Sequence, residues 1–277
     1  MINIQDISRG LKCGNDGIWH ASRKKEISYP AEGSDTCFAI EDNSFWFQHR
    51  NKCISALIDN YPPQNNGEIF DIGGGNGFVT LGIEQAGYNA VLVEPSSSGA
   101  YNAKKRGVKN IICSSLEDAH FFDNSLPAIG LFDVLEHIED DLAFLTEINN
   151  LLTTDGIVYI TVPAYSWLWS DEDSSAGHFR RYTITSLTKK LVQAGFKIEF
   201  STYMFRFLPL PIFLLRSIPS RLGLLTTASD NVARDHVTKK GVAHDVLNFV
   251  LMRELQHIKQ NSPMRFGGSC LMIATRC

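Results

Sequence analysis

Residues 68–80 read EIFDIGGGNGFVT. An apolar run ends in Asp71, glycine fills positions 73, 74, 75 and 77, and a helix-like segment follows. Glycine reaches positive φ and lets a ligand approach the main chain without meeting a Cβ. In an open α/β sheet, ligands lie beyond the carboxyl ends of the strands, where the strand order reverses. The stretch therefore predicts a strand, a bare loop and a helix that together bind something polar. A dinucleotide fingerprint spaces its glycines as GxGxxG. Here Gly73, Gly75 and Gly77 alternate, one residue short of that spacing. Asp71 would set a carboxylate close to a phosphate, and it suits a ligand with a positive amino group instead. Glu94 ends the next apolar run, where an acid accepts hydrogen bonds from both ribose hydroxyls. A nicotinamide site would use the same acid, so the loop spacing and Asp71 carry the distinction.

Outward from this stretch, short apolar runs alternate with helical ones. Strands are expected at 68–72, 90–94, 110–113, 128–132 and 157–162, then at KIEFSTYM (197–204) and, last, GGSCLMIATRC (267–277). Helices are expected from Ser44 to the Pro62-Pro63 pair, over DDLAFLTEINNLL, with Leu142, Leu145, Ile148 and Leu152 on one face, and over TSLTKKLVQAGF up to Gly195. Apolar strands separated by helices imply a parallel sheet covered on both faces. The segment GIWHASRKKEISYP could form a hairpin-like arm. The organisation expected is an N-terminal arm (1–43), an α/β domain (44–203 with 266–277) and a helical insertion (204–265) before the last strand. The insertion holds an apolar stretch, a polar linker TTASDNVARDH and the helix GVAHDVLNFVLMRELQHIKQ.

The 277-residue chain is 44% hydrophobic and 20% charged, with a net charge of −4. That is the balance of a soluble globular protein, and it gives no reason to expect nucleic acid, whose binders are usually basic. Six scattered cysteines without a CxxC pair argue for reduced thiols in the cytoplasm and against a cysteine-bound zinc, so no metal site is expected. No run reaches the roughly 18 apolar residues of a spanning helix. FRFLPLPIFLLRSIP (205–219) is shorter and is broken by prolines. It reads either as packing or a lid, or as an interfacial helix that dips into a membrane to reach a lipid-borne molecule.

With FDIGGGNGF, VLVEPS and DVLEHIEDDLAFLTEINNLLTTDGIVYITVPA in view, the sequence resembles the class I S-adenosylmethionine-dependent methyltransferases, in the branch with LEH after the fourth strand. The likeness spans roughly residues 66 to 200 and extends weakly to SFWFQHRN and GHFRRYT. It implies a Rossmann-like seven-stranded, mostly parallel sheet with helices on both faces and an antiparallel last strand. It also implies S-adenosylmethionine as cofactor and S-adenosylhomocysteine as product. Gly73, Gly75, Gly77 and Phe78 would border the methionine part, Asp71 would hold its amino group, and Glu94 would clamp the ribose. Ser115 and Leu116 would border the adenine, and Phe132 would lie near the methyl. The chain departs from the family at Ser115 and at Pro127, positions where relatives often carry Asp.

A sulfonium methyl is already activated, so the protein mainly aligns a nucleophile. A base is needed for a hydroxyl or a protonated amine, and His137, Asp133 and His178 are the candidates. His137 reads equally as a structural residue. Trp46, Arg50, Trp167, Arg180, Arg181 and Tyr182 are candidates for contacting the acceptor. The arginines read otherwise as surface charges, and Trp46, Phe47, Trp167 and Trp169 as ordinary packing. The acceptor is expected to be a small or lipid-like molecule; its identity and the oligomeric state are not written in these motifs. Two rival functions stay open: a nicotinamide-dependent oxidoreductase and a non-catalytic S-adenosylmethionine-binding protein.

Overall fold

The structure, a computed structural model, describes residues 3–21, 37–223 and 242–277. The strands are β1 Leu11–Cys13, β2 Trp19–Ala21, β3 Ile69–Ile72, β4 Ala90–Val93, β5 Ile111–Cys113, β6 Leu126–Phe132, β7 Leu152–Pro163, β8 Phe196–Met204 and β9 Ser269–Arg276. They form one sheet in the order β1-β2-β5-β4-β3-β6-β7-β9-β8. Strands β3 to β7 run parallel, and β9 is antiparallel to both β7 and β8. The antiparallel last strand is as the resemblance implied. The expected count of seven is corrected to nine, because β1 and β2 add a hairpin at the β5 edge. Three-residue strands carry too little alternation to be read from sequence. The rest of the expected arm, residues 22–30, lies outside the described residues, as does the linker 226–236.

The helices are α1 Ile4–Ile7, α2 (37–41), α3 Phe45–Asn60, α4 Phe78–Gln85, α5 Ser97–Arg106, α6 Leu116–Ala119, α7 Asp141–Leu151, α8 Asp171–Ser175, α9 Ile184–Gln193, α10 Pro209–Ile212, α11 Ile218–Arg221 and α12 Val242–Lys259. A π-helical turn, Phe213–Ser217, joins α10 to α11. Ser44 caps α3 by accepting from the Phe47 amide, and α3 ends at Asn60, just ahead of Pro62. Asp140 caps α7 by accepting from the Ala143 amide at 3.0 Å, the preferred use of Asp at a helix start. Leu152, expected on the α7 face, instead opens β7.

Every residue of β3, β4 and β5 is buried, as strands covered on both faces must be. Their alternation divides the core. Phe70, Ile72, Val91, Val93, Ile129 and Leu131 pack with Leu145, Ile148, Leu187 and Leu191 on one face. Ile69, Ala90, Ala128 and Tyr159 pack on the other with Ile54, Leu57 and Ile58 of α3, Val79 and Ile83 of α4, and Leu251 and Ile258 of α12. Pro127 sits where the β6–β7 register shifts, a place that tolerates a residue with no N–H to give. A Cβ on Gly67 would come within 2.5 Å of it. The departure noted at Pro127 is thus absorbed by an irregular strand step.

Helix α12 is fastened to the sheet from below by Glu254. Its carboxylate accepts from the Phe205 amide at 2.6 Å and the Arg206 amide at 2.9 Å, and it meets Nε2 of His49 at 2.9 Å. Phe205 has φ +60, and this pair of bonds holds the turn that leaves β8.

Candidate functional site

The strand order reverses at β3, which pairs with β4 on one side and β6 on the other. The glycine loop emerges there. Gly73, Gly75 and Gly77 have φ of +68, +56 and +71, in the region that disfavours a side chain. Gly74 is needed for a different reason: a Cβ would stand 2.5 Å from Oδ2 of Asp71 and 2.5 Å from a Leu92 methyl. A Cβ on Gly77 would meet Ala103 and Val108 at 2.8 Å, so this glycine sets the approach of α4 to α5.

Beyond the loop opens a cavity of about 570 Å³. Asp71, Gly73, Gly75, Phe78, Glu94, Phe132, Asp133 and His137 all line it, together with Glu41, Phe47, Arg50 and Asn76. Asp71 is fully buried. Its Oδ2 accepts from the Thr80 hydroxyl at 2.6 Å, while Oδ1 has no hydrogen-bond partner among the described residues. Burial pushes its pKa up to about 6, against the pull of Thr80 and Arg50. Glu94 accepts from the Gly75 amide at 2.9 Å and the Ser96 amide at 2.7 Å. Burial raises it to about 7, opposed by those two amides. A buried carboxylate oxygen without a donor is costly. A ligand ammonium would satisfy the open Asp71 oxygen, and the Glu94 oxygens, each holding one amide, would have a lone pair left for a diol. The residues present therefore fit S-adenosylmethionine.

A second cavity of about 560 Å³ adjoins the first and shares Phe47, Arg50, Asp133, His137 and Ala176 with it. Its inner end is polar, with Glu136, His137, His178 and Arg181, and its outer wall is apolar, with Phe45, Trp46, Leu208, Pro211, Ile212 and Leu215. Arg50 forms an ion pair with Asp133 and lies over the Trp46 ring at 4.8 Å. Asp133 has φ +58, and its Oδ1 accepts from the Thr161 hydroxyl at 3.2 Å. Glu136 is 1% exposed, and its Oε2 has no partner among the described residues. Burial, and then Asp133, push its pKa well above the usual carboxylate range. Burial, and then His178, hold His137 down to about 4. The His178 Nδ1 lies 2.9 Å from Asp173, which also takes the Arg181 fork at 2.8 and 2.9 Å.

Other expected residues lie elsewhere. Ser115 caps α6, accepting from the Asp118 amide at 3.1 Å, and Leu116 lines a separate groove beside α7. Neither is among the residues lining the two cavities. Tyr182 is buried and donates to Asp141 at 2.8 Å, and Arg180 pairs with the same Asp141 at 2.7 Å. Both are bonded to α7 through Asp141, and neither is among the residues lining the two cavities. Trp167 stacks on Tyr165 and abuts Phe213. The sequence reading passed over Glu41, Asn76 and Glu136. Glu136 sat in plain view inside LEH. Glu41 carried no signal, since only the fold brings its α2 over the loop, where it accepts from Asn76 at 3.3 Å and pairs with Arg106 at 2.7 Å.

Known proteins share this fold. A curated relative, a probable S-adenosylmethionine-dependent methyltransferase of Mycolicibacterium smegmatis, is 20% identical over 173 residues, which cover 61% of this chain and 66% of the relative. The chain thus spans about two thirds of that relative's length. A Haloferax volcanii methyltransferase solved with the Trm112 methyltransferase activator superposes with a TM-score of 0.55 at 16% identity, covering 88% of this chain and 93% of that one. Haemonchus contortus phosphoethanolamine N-methyltransferase 2, solved with S-adenosyl-L-methionine, gives 0.54 at 20% identity, covering 91% of this chain and 58% of the other. These likenesses show a common fold. The sequence model of the methyltransferase domain family matches residues 45–199, more than half of the chain and the whole of the glycine loop, the Glu94 strand end and the LEH segment. The chain therefore belongs to the methyltransferase domain family, among the class I S-adenosylmethionine-dependent methyltransferases.

Proposed function

We propose that this protein transfers a methyl group from S-adenosylmethionine, held in the first cavity, to an amphiphilic small molecule held in the second. The observation that carries the reading is the meeting of the two cavities at Phe47, Arg50, Asp133 and His137. When bound, the cofactor supplies a methyl carbon activated by its sulfonium. Asp71 would hold the amino group, Glu94 the ribose, and the bare backbone at 73–75 would admit the chain between them. Phe47, Phe78 and Phe132 would exclude water. The polar inner end of the second cavity suits a hydroxyl or amine head, and its apolar wall suits a hydrocarbon body. Positioning the head can contribute roughly 7–11 kcal/mol.

Of the three expected bases, Asp133 is tied to Arg50 and Thr161, and His178 to Asp173. His137, held at about 4, is a weak proton acceptor. The geometry thus favours orienting roles for Asp133 and His137, while the Asp173 bond leaves Nε2 of His178 with its lone pair. The cavity mouth at Leu215 and Arg216 lies among Leu210, Leu214 and Leu222, each at least half exposed. No helix of the described residues is long and apolar enough to cross a membrane. This rim favours an acceptor drawn from a lipid surface.

Calorimetry with S-adenosylhomocysteine and with NAD(H) tests the donor: binding of the first and not of the second is expected, and the reverse overturns the reading. Flotation with anionic liposomes at low salt tests the rim. Co-migration that Leu214→Glu abolishes is expected, and an absence of co-migration removes the lipid surface.

A further inference from the structure

Glu136, His137 and His178 converge at the inner end of the second cavity. One ligand-capable atom from each lies within 4.8 Å of the others. The two imidazole rings stand 4.7 Å apart between centroids and nearly perpendicular, at 80°. The Glu136 Oε2 is buried and has no hydrogen-bond partner among the described residues, and Glu136 is one of the residues lining the cavity. Each ring is oriented from behind. With Nδ1 of His178 given to Asp173, Nε2 carries the lone pair. Asp173 is itself fixed by Arg181 and by the Ser170 amide at 2.9 Å. The His137 ring hydrogen bonds to the backbone at Ala176 and Gly177.

Imidazoles that bind metal almost always give their other nitrogen to a carboxylate or a backbone carbonyl, which fixes tautomer and direction. Both histidines have that backing here. Arg50 and Arg181 act on Glu136 through their charge, but their ion pairs are made with Asp133 and Asp173. We propose that Glu136, His137 and His178 form a binding site for one divalent first-row transition-metal ion at the inner end of the acceptor cavity. Two imidazoles and a carboxylate suit zinc, iron(II), cobalt(II) or manganese(II) better than magnesium, which prefers oxygen donors. Metal bonds of about 2.0–2.2 Å need only modest side-chain closure from the present spacing. Three protein ligands leave positions open toward the cavity.

Resting on the methyl-transfer reading, the ion has a use. An acceptor hydroxyl at an open position loses its proton to solvent more readily. Its oxygen then forms the new bond to the methyl carbon, while the carbon–sulfur bond breaks and its electron pair stays on sulfur. The metal would lower the acceptor's pKa without requiring His137, a weak proton acceptor, to take the proton.

The test uses the full chain, stripped with chelator and titrated with Co²⁺ while visible absorption is followed, with Zn²⁺ calorimetry alongside. One ion per chain is expected, with a ligand-field spectrum free of sulfur-to-cobalt charge transfer. Glu136→Gln and His178→Ala should each weaken binding about 100-fold, and Asp173→Asn about 10-fold. Unchanged S-adenosylhomocysteine affinity in Glu136→Gln shows that the variant is folded. A spectrum that stays that of aqueous cobalt overturns the site. So does binding that survives both ligand variants, or a thiolate band pointing to the buried His49, Cys53 and Glu254 group instead. Metal binding without cofactor binding would sink the methyl-transfer reading and leave the site standing.

Discussion

Arg50 reaches from α3 to the carboxylate of Asp133 at the end of β6, and the pair forms part of the wall shared by both cavities. Arg50 also covers the Trp46 and Phe47 rings at 4.8 and 5.8 Å. One side chain thus links the helix over the site to the strand beneath it. Arg50→Met should cost about 3 kcal/mol, the low end for breaking a buried pair, since both side chains keep some exposure. Arg50→Lys should restore part of it. Denaturant unfolding reads the stability, and calorimetry with S-adenosylhomocysteine reads the cavity.

Glycines in the loop are not equivalent. Gly74→Ala drives a methyl into Asp71 and Leu92, so cofactor affinity should fall at least tenfold and the melting temperature with it. At Gly75 nothing among the described residues stands within 4 Å of an added Cβ, and the φ of +56 opposes it. Gly75→Ala should cost about 1–2 kcal/mol of backbone strain, with a smaller loss of affinity. Equal affinities for the two variants would contradict the cradle described here.

Asp71 and Glu94 make opposite contributions to folding and to binding as pH changes. Both carboxyls hold their protons longer in the folded chain, to about 6 and about 7. As pH rises from the ordinary carboxylate range toward 7, the unfolded chain releases protons that the folded one keeps. Unliganded stability from these two groups is therefore full below that range and is lost toward pH 7. Binding of an amino cation and a ribose diol favours the anions, so S-adenosylhomocysteine affinity should climb between pH 5.5 and 8. Glu94→Gln should flatten the upper part of that climb. Melting curves across the same range, with and without ligand, separate the two trends.

The hold on α12 offers a purely structural test. Glu254→Ala strands the buried amides of Phe205 and Arg206 and the His49 ring at once. A loss of about 3–5 kcal/mol is expected, with Glu254→Gln in between. Since Glu254 lines neither cavity, the cofactor affinity of the folded fraction should not move.

The strand-loop-helix at 68–80 and the acid at 94 were legible because each depends on local chemistry: a strand end, a φ sign, a charge next to a bare backbone. The pairing of Arg50 with Asp133 was not, although both residues were singled out, because pairing is a property of the sheet order. Tyr182 and Arg180 looked like mouth residues and turned out to brace α7, since GHFRRYT carries no mark of which face each side chain takes. Glu136 was hidden differently. It stood inside a quoted motif, but only burial without a partner gives it meaning. The strand Trp19–Ala21 falls inside the stretch read as a hairpin-like arm, but its partner Leu11–Cys13 escaped because three residues are too few for a period to show.

That hairpin covers the β5 side of the sheet. By pairing Trp19 and His20 along β5, it caps a flank whose main-chain donors and acceptors would otherwise recruit another chain. A chain lacking residues 1–21 loses that cover together with the buried Ile4, Ile7 and Leu11, and should both melt at a lower temperature and scatter more light as copies join along the bared strand.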